Sequence, residues 1–331
     1  MEFKPKSIAE WENVFAHIYS DVDSRRTPEQ MWTAVMAHSS AIGESVRKVA
    51  FHDIIKAASS TFCWLASFTN KCKGLENDIF SINHSLSQIV SFKYPKICGR
   101  CLRSPCKCEP LEQDLISDKV ARYNDLYNEW KTISDSVDNW TIELYKDIFR
   151  KIYGARIYIQ SLESIGFHFL EEIGEAAVCV RELSQLRNIV NSETGIELEF
   201  IKEISSIPSL VEQYTRLKDT INKIDVSSKE PEMLKARAVK AKIGLLIEIG
   251  DSWSWLFSIM NKLDMISQFV FTKPEKHPEF MIPLEEILQK KYLDKEGNPQ
   301  CHACKKESCE CVFYNLELKE LENQNWKRGR I

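Results

Sequence analysis

The stretch that sets the fold class is Phe167-His168-Phe169-Leu170-Glu171-Glu172-Ile173-Gly174-Glu175-Ala176-Ala177. Its apolar residues recur three and four positions apart, a spacing that places them on one face of an α-helix. The same spacing recurs downstream at Leu245, Ile249, Trp253 and Leu256. No segment shows sustained alternation of polar and apolar residues. The sequence therefore predicts an all-α protein, with any strands confined to its cysteine-rich segments.

The composition supports a helical globular chain. Of its 331 residues, 44% are hydrophobic, and only 11 are glycine and 11 proline. This scarcity of turn residues disfavours an all-β sandwich. The net charge of −4 gives no reason to expect broad binding to nucleic acid or to an acidic membrane. We find neither an apolar run of the roughly 18 residues that a spanning helix needs nor a signal-peptide core, so a soluble cytoplasmic protein is expected.

Eight of the 11 cysteines form two clusters with the same internal spacing: Cys98, Cys101, Cys106 and Cys108, then Cys301, Cys304, Cys309 and Cys311. In a chain without a secretion signal, four closely spaced thiols favour a metal site over disulfides. Four thiolates suit the tetrahedral preference of zinc, and such a closed shell leaves no open position for catalysis. We therefore expect two structural Zn²⁺ ions. Reduced clusters or disulfide hairpins are the alternatives.

Three pairs of segments relate the first part of the chain to the second in the same order. Residues 14–19 resemble 148–153, residues 41–45 resemble 172–176, and residues 62–67 resemble 253–258. The offset is 134, then 131, then 191 residues, so the second copy contains an insertion of 60 residues. Because all three matches keep their order, the sequence indicates a tandem duplication.

The repeat also gives the predicted domain boundaries. Each copy ends in its cysteine cluster, at residues 98–108 and 301–311. We predict a first half at 1–108, a linker and helix at 109–136, and a second half at 137–331 with its insertion at about 184–243.

Two acidic pairs in the second half share helical faces. Glu172 and Glu175 are three residues apart, flanked by Glu171, and Glu248 and Asp251 have the same spacing. Unit charges 4 Å apart repel by roughly 4 kcal/mol at an effective dielectric of 20, so four such carboxylates on facing helices need a cation. Carboxylate oxygens select Mg²⁺ or Mn²⁺. The alternative is a set of ordinary solvent-facing acids.

The second half resembles the MazG-like family of all-α nucleoside triphosphate pyrophosphohydrolases. The resemblance rests on Phe169-Leu170-Glu171-Glu172-Ile173-Gly174-Glu175-Ala176 and Ile247-Glu248-Ile249-Gly250-Asp251-Ser252-Trp253, which are similar to the family's two signature helices. Here 72 residues separate Glu175 from Glu248, where the family has a short connection.

The resemblance implies that water attacks the α-phosphate of a nucleoside triphosphate, releasing the monophosphate and pyrophosphate. It implies that Mg²⁺ or Mn²⁺ is held by Glu172, Glu175, Glu248 and Asp251. Glu171 is then the candidate for positioning or deprotonating the attacking water. It also implies assembly of helical units in pairs, which a duplicated chain satisfies internally, and leaves a homodimer of such chains open.

Candidate substrate-binding residues lie near the second acidic pair. Lys240, Lys242 and Lys262 offer cations for phosphates, and Trp255 or its neighbour Trp253 offers a ring for base stacking. Each has an ordinary alternative, because lysines are commonly solvated and tryptophans in apolar helices commonly belong to the core.

The first half has lost most of the acids. The counterpart of Glu171-Glu172-x-x-Glu175 is Ser40-Ala41-x-x-Glu44, and that of Glu248-x-x-Asp251 is Ala57-x-x-Ser60. The sequence therefore predicts one active half, with the other kept as its packing partner.

Two further function classes stay open at this stage. One is a nucleotide sensor that binds triphosphate through the same acids without efficient turnover. The other is an adaptor for nucleic acid or protein that uses the cysteine clusters on a helical scaffold, although the near-neutral charge counts against nucleic acid. No motif indicates a preferred base or sugar.

Overall fold

The computed structural model describes residues 4–108, 116–192, 199–270 and 283–311. Its regular elements in these ranges are helices: α1 Ile8–Asp23, α2 Pro28–Arg47, α3 Phe51–Lys73, α4 Leu86–Lys93, α5 Ile116–Lys131, a 3-10 helix Ser134–Asn139, α6 Ile142–Ile159, α7 Leu162–Ser192, α8 Glu199–Glu203, α9 Ile207–Arg216, α10 Lys218–Asn222, α11 Pro231–Val270 and α12 Leu284–Tyr292. Extended pairing within them is limited to isolated bridges, Ser7 with Thr141 and Leu293 with Pro299. The all-α prediction is confirmed.

Side-chain caps fix where several helices begin. The Thr27 hydroxyl accepts a hydrogen bond from the Gln30 backbone N–H, the Thr27 backbone N–H donates to Gln30 Oε1, and Pro28 fills the first helical position of α2. Ser7 and Glu10 form the same reciprocal box at α1. Such caps satisfy backbone N–H groups that the first helical turn leaves without partners, and each contributes about 1 kcal/mol.

Four long helices form the centre of the molecule. Helix α7 packs along α11, α2 packs along α3, and α2 also packs on α7. The contact between α2 and α7 is close at Gly43, where an added Cβ would lie 2.8 Å from Leu170 Cδ1. Trp32 and Phe62 are buried in this core, whereas Trp64 is half-buried and lines a cavity.

Helix α11 is long and apolar enough over Pro231–Ser267 to cross a bilayer by length and composition alone. However, 78% of its most apolar window is buried inside the molecule. Packing against the other helices thus accounts for this apolar surface, which the search for unbroken apolar runs in the sequence did not detect.

Each cysteine cluster docks on the first helix of the other half. We call residues 98–108 the first knuckle and residues 301–311 the second knuckle. The Cys106 N–H donates to the Ile152 carbonyl of α6 at 2.8 Å, and the Cys309 N–H donates to the Ile18 carbonyl of α1 at 2.7 Å. The preceding helices cross as well, since α4 packs on α11 and α12 packs on α3. The two halves therefore interlock.

The sequence matches recur as matching contacts within each half. Asn70 Nδ2 donates to the Glu12 carbonyl at 2.9 Å, and Asn261 Nδ2 donates to the Lys146 carbonyl at 3.0 Å. These pairs occupy the same positions in the aligned repeats.

The predicted linker and insertion pack on each other. Helix α5 contacts α9, with the rings of Tyr123 and Tyr214 5.1 Å apart and edge to face. The insertion comprises the end of α7, helices α8 to α10 and the start of α11. It also touches the first half, because the Ile207 N–H donates to His84 Nε2 at 2.9 Å. Parts of both predictions, at 109–115 and 193–198, lie outside the described residues.

Candidate active site

Three of the predicted metal ligands come together between α7 and α11. Glu172 and Glu175 project from one face of α7, and Glu248 reaches the same point from α11, with one oxygen of each carboxyl within 4.8 Å of the others. We call these residues the acidic cluster. The i, i+3 spacing places the first two side by side, and the packing of α7 along α11 adds the third.

Burial and neighbouring negative charge raise the pKa of two members of the acidic cluster. Desolvation, followed by the negative charge of Asp251, raises the pKa of Glu172 to about 9. The same two causes raise the pKa of Glu248 to about 7. Three crowded carboxyl groups fit a divalent cation, because its charge would offset theirs and relieve the repulsion that raises the pKa of Glu172 and of Glu248. The donor set is all oxygen, as Mg²⁺ and Mn²⁺ prefer.

Asp251 lies in the same pocket but has other partners. Its Oδ2 is 3.1 Å from Lys93 Nζ, and its Oδ1 accepts a hydrogen bond from the Tyr94 hydroxyl. Lys93 fits here because α11 has Gly250 beside Asp251. A Cβ added at Gly250 would lie 2.7 Å from Lys93 Cβ. The predicted fourth carboxylate is thus paired with a resident cation.

A cavity of about 510 Å³ opens beside the acidic cluster, and we call it the large pocket. Trp255 lines it, and its indole N–H donates to Glu172 Oε1 at 3.2 Å. The His168 ring stacks on Trp255 at 4.7 Å and 18°. The prediction that Trp255 lies at the site agrees with this placement, whereas Trp253 is fully buried in the core.

Five cationic side chains share the large pocket with the acids, and sequence reasoning missed them all: Lys93, Arg100, Lys119, Arg122 and Arg156. Lys93 and Arg100 come from the first half, at the end of α4 and in the first knuckle. Lys119 and Arg122 come from the linker helix α5, and Arg156 from α6. The repeated cysteine cluster marks the region of the sequence that contains Lys93 and Arg100. However, only the structure shows that this region packs against the other half of the chain.

The three lysines predicted for substrate binding lie elsewhere, which corrects that prediction. Lys242 is fully buried, and its ammonium donates to the Ser81 and Ile204 carbonyls at 2.7 and 3.0 Å. Burial lowers its pKa to about 7. Lys262 donates to the Ile157 carbonyl at 3.1 Å, at the end of α6. Lys240 is exposed on α11 and does not line the large pocket.

Glu171, the candidate for activating water, points towards solvent beside the pocket. Its side chain is 60% exposed, and its carboxylate lies 3.1 Å from His168 Nδ1. It does not line the large pocket. The predicted role of Glu171 stays a prediction.

Both knuckles gather four free thiols whose sulfur atoms lie within 4.8 Å of one another. The Sγ atoms of Cys98 and Cys108 are 3.6 Å apart, and those of Cys301 and Cys311 also 3.6 Å. Four sulfurs at 2.3 Å from a tetrahedral zinc ion are about 3.8 Å apart. The geometry of both knuckles therefore suits a metal ion of that size.

A smaller cavity of about 150 Å³ occupies the corresponding place in the first half. Ser60 stands where the second half has Asp251, and its hydroxyl accepts a hydrogen bond from Lys291 Nζ at 2.6 Å. Glu44, the remaining acid, is exposed and pairs with Lys48. No acidic cluster therefore forms in the described residues of the first half.

No protein-family model, curated protein or solved structure matches this chain.

Proposed function

We propose that this chain is a Mg²⁺-dependent nucleoside triphosphate pyrophosphohydrolase of the MazG-like type, with one active pocket whose carboxylates come from the second half. The observation that carries the proposal is the charge distribution of the large pocket, which combines three clustered carboxylates with five cationic side chains. A magnesium-bound triphosphate needs both kinds of group. Carboxylates hold the cation, and Lys or Arg side chains bind phosphate oxygens.

Glu172, Glu175 and Glu248 would hold Mg²⁺ or Mn²⁺ in this proposal. The ion would neutralise phosphate charge and lower the pKa of a water molecule. Asp251 would act indirectly. Its carboxylate accepts a hydrogen bond from the Tyr94 hydroxyl and pairs with the ammonium of Lys93, which it holds in the pocket.

The reaction forms a bond between a water oxygen and the α-phosphorus. The bond from that phosphorus to the bridging oxygen breaks, and pyrophosphate leaves with the electron pair. The pocket's cations bind the phosphate oxygens, and charge that develops on the leaving group is stabilised by donors already in place. Tyr123 and Trp255 are two of the four aromatic side chains that line the pocket, and they are the candidates for contact with the base.

We further propose that the chain is a tandem duplication folded as an internal pseudo-dimer. Two sets of equivalent contacts support this. Asn70 and Asn261 each donate to a backbone carbonyl of the first helix of their own half. The two knuckles each donate to an isoleucine carbonyl of the opposite half, Ile152 and Ile18. Each knuckle would hold a structural zinc ion through its four thiolates.

Product analysis tests the enzymatic proposal. The full chain is incubated with each ribonucleoside and deoxyribonucleoside triphosphate and Mg²⁺, and we expect pyrophosphate and the monophosphate. Glu172→Gln should lower turnover by at least about 100-fold, because it removes a metal ligand and transition-state charge stabilisation. Glu44→Gln, on the equivalent helix of the first half, is the matched control and should act like wild type. Release of orthophosphate instead of pyrophosphate would contradict the proposal.

A nucleotide sensor is the second candidate, favoured by one observation. Asp251 is engaged by Lys93 and Tyr94, so the acidic cluster has three carboxylates and not four. Tight binding of a triphosphate with Mg²⁺, without any product after prolonged incubation, would support the sensor over the enzyme.

A further inference from the structure

The first knuckle forms a wall of the large pocket. Cys98, Cys106 and Cys108 line the cavity together with Arg100, which lies between the first two cysteines of the cluster. The knuckle follows directly on α4, whose end supplies Lys93 and is followed by Tyr94. The stretch from Lys93 to Cys108 thus belongs to the first half but borders the pocket of the second.

Two pocket arginines depend on the fold of this knuckle. The Arg100 backbone N–H points to Cys98 Sγ at 3.5 Å, so the position of Arg100 follows that sulfur. A guanidinium nitrogen of Arg156, on α6, donates to the Cys108 carbonyl. The Tyr153 hydroxyl also donates to Cys98 Sγ at 3.5 Å. A change in the four-sulfur centre would therefore shift the backbone of Arg100 and the carbonyl that holds the guanidinium of Arg156.

The second knuckle is a natural control. It has the same turn, since the Leu102 N–H donates to the Cys98 carbonyl and the Lys305 N–H to the Cys301 carbonyl, both at 2.9 Å. It docks on α1 as the first knuckle docks on α6. Yet Ala303 stands at the position of Arg100, and it borders the small cavity. Only the first knuckle therefore brings an arginine to a pocket from this position.

We infer that the first knuckle is a zinc-dependent substrate-binding element, whose metal ion holds Arg100 and Arg156 in place for the polyphosphate of the ligand, while the second knuckle serves the fold alone. This inference rests on the proposed function of the large pocket as a triphosphate site. It differs from a purely structural role for both zinc ions, because it predicts that loss of one ion changes ligand affinity and loss of the other does not.

The test compares two equivalent ligand substitutions in the full chain, Cys101→Ser and Cys304→Ser. Zinc content is measured for each variant, and helix content and thermal unfolding report the fold. Binding is measured with Mg²⁺ and two probes, an α,β-imido nucleoside triphosphate, which cannot be cleaved at the reacting bond, and inorganic tripolyphosphate. We expect each variant to lose one of two zinc ions. Cys101→Ser should weaken binding of both probes at least tenfold, and Cys304→Ser should stay within twofold of wild type.

Arg100→Gln keeps the inference testable if Cys101→Ser does not fold. It retains all four thiols and should retain two zinc ions, yet bind both probes at least fivefold more weakly, whereas Ala303→Gln should bind like wild type. Unchanged binding in a folded Cys101→Ser protein that has lost its zinc would overturn the inference. Equal losses in the two cysteine variants would also overturn it. Failure of the wild-type chain to bind either probe would instead refute the proposed function itself.

Discussion

At the scale of single residues, Lys93 is a side chain of the large pocket to which the sequence assigned no role. It pairs with Asp251 at 3.1 Å, and both side chains are largely buried, at 12% and 17% exposure. Lys291 of α12 is its counterpart in the second half, and it reaches Ser59 and Ser60 of the first half, not an acid. Lysines at equivalent positions thus contact a carboxylate in one case, Asp251, and serine hydroxyls in the other.

Replacing each lysine in turn tests this difference. Lys93→Met should raise the KM for a triphosphate at least tenfold, because it removes a phosphate-binding cation and leaves Asp251 without its counter-charge. Lys291→Met removes the equivalent charge far from the acidic cluster and should leave KM unchanged. Steady-state kinetics on both variants measures KM. An equal rise in KM in the two variants would show that Lys93 acts only on the fold.

Glu12 gives a residue-scale prediction about pH. Its side chain is fully buried, and its Oε1 accepts hydrogen bonds from the Leu86 N–H and the Thr69 hydroxyl. Desolvation raises the pKa of Glu12 to about 7. The folded state therefore keeps a proton that the unfolded chain releases above its ordinary pKa near 4.5. The free energy of unfolding should fall as pH rises from about 4.5 to about 7, and stay low above that.

Glu12→Gln removes this titratable carboxyl. The free energy of unfolding of the variant should therefore fall less than that of the wild type between pH 5 and pH 8. The expected change in that difference is on the order of 3 kcal/mol. Urea unfolding of the wild type and the variant at both pH values measures it. The exposed Glu129→Gln is the control and should behave like wild type at both. Parallel curves for wild type and Glu12→Gln would contradict the prediction.

At the scale of elements, the two signature helices contain glycines at equivalent motif positions in different surroundings. An added Cβ at Gly174 of α7 would meet nothing within 4 Å. One at Gly250 of α11 would overlap the Lys93 side chain where α4 crosses. Helix propensity alone favours alanine over glycine by about 1 kcal/mol at both positions.

Gly174→Ala should accordingly stabilise the protein by up to about 1 kcal/mol and leave activity intact. Gly250→Ala should displace Lys93 from Asp251 and lower kcat/KM at least tenfold, even if the melting temperature hardly changes. Thermal unfolding and kinetics on the two variants separate the effects. A fully active Gly250→Ala protein would mean that the approach of α4 to α11 is not required.

Local patterns predicted the helices and the pairing of Glu172 with Glu175 well, because both depend on spacing along one helix, whereas Glu248 joins them through the packing of α11 on α7. The apolar spacing of Leu245, Ile249 and Trp253, which lie within α11, is one case, and the shared face of Glu172 and Glu175 is another. Lys242 and Arg100 show the limit. Lys242 lies six residues before Glu248 but points into the protein interior, and Arg100 reaches the pocket through a fold crossing that no local pattern encodes.

At the scale of the whole molecule, the large pocket belongs to neither half alone. The acidic cluster comes from α7 and α11, whereas Lys93, Tyr94 and Arg100 come from the first half. Expressed as separate chains, residues 1–111 and 112–331 should copurify when made together and regain activity. Residues 112–331 alone should be inactive, because they lack the cations of α4 and the first knuckle. Full activity in that fragment would refute a composite pocket.

The crossed docking of the knuckles also bears on how the chain is made. Helix α1 ends at Asp23, whereas its partner, the second knuckle, begins at Cys301 and is synthesised much later. The second knuckle therefore cannot cover the Ile18 carbonyl and the neighbouring surface of α1 until the chain between them has been synthesised. A nascent chain that stops before residue 301 would leave this surface of α1 without the contact that the second knuckle makes with it.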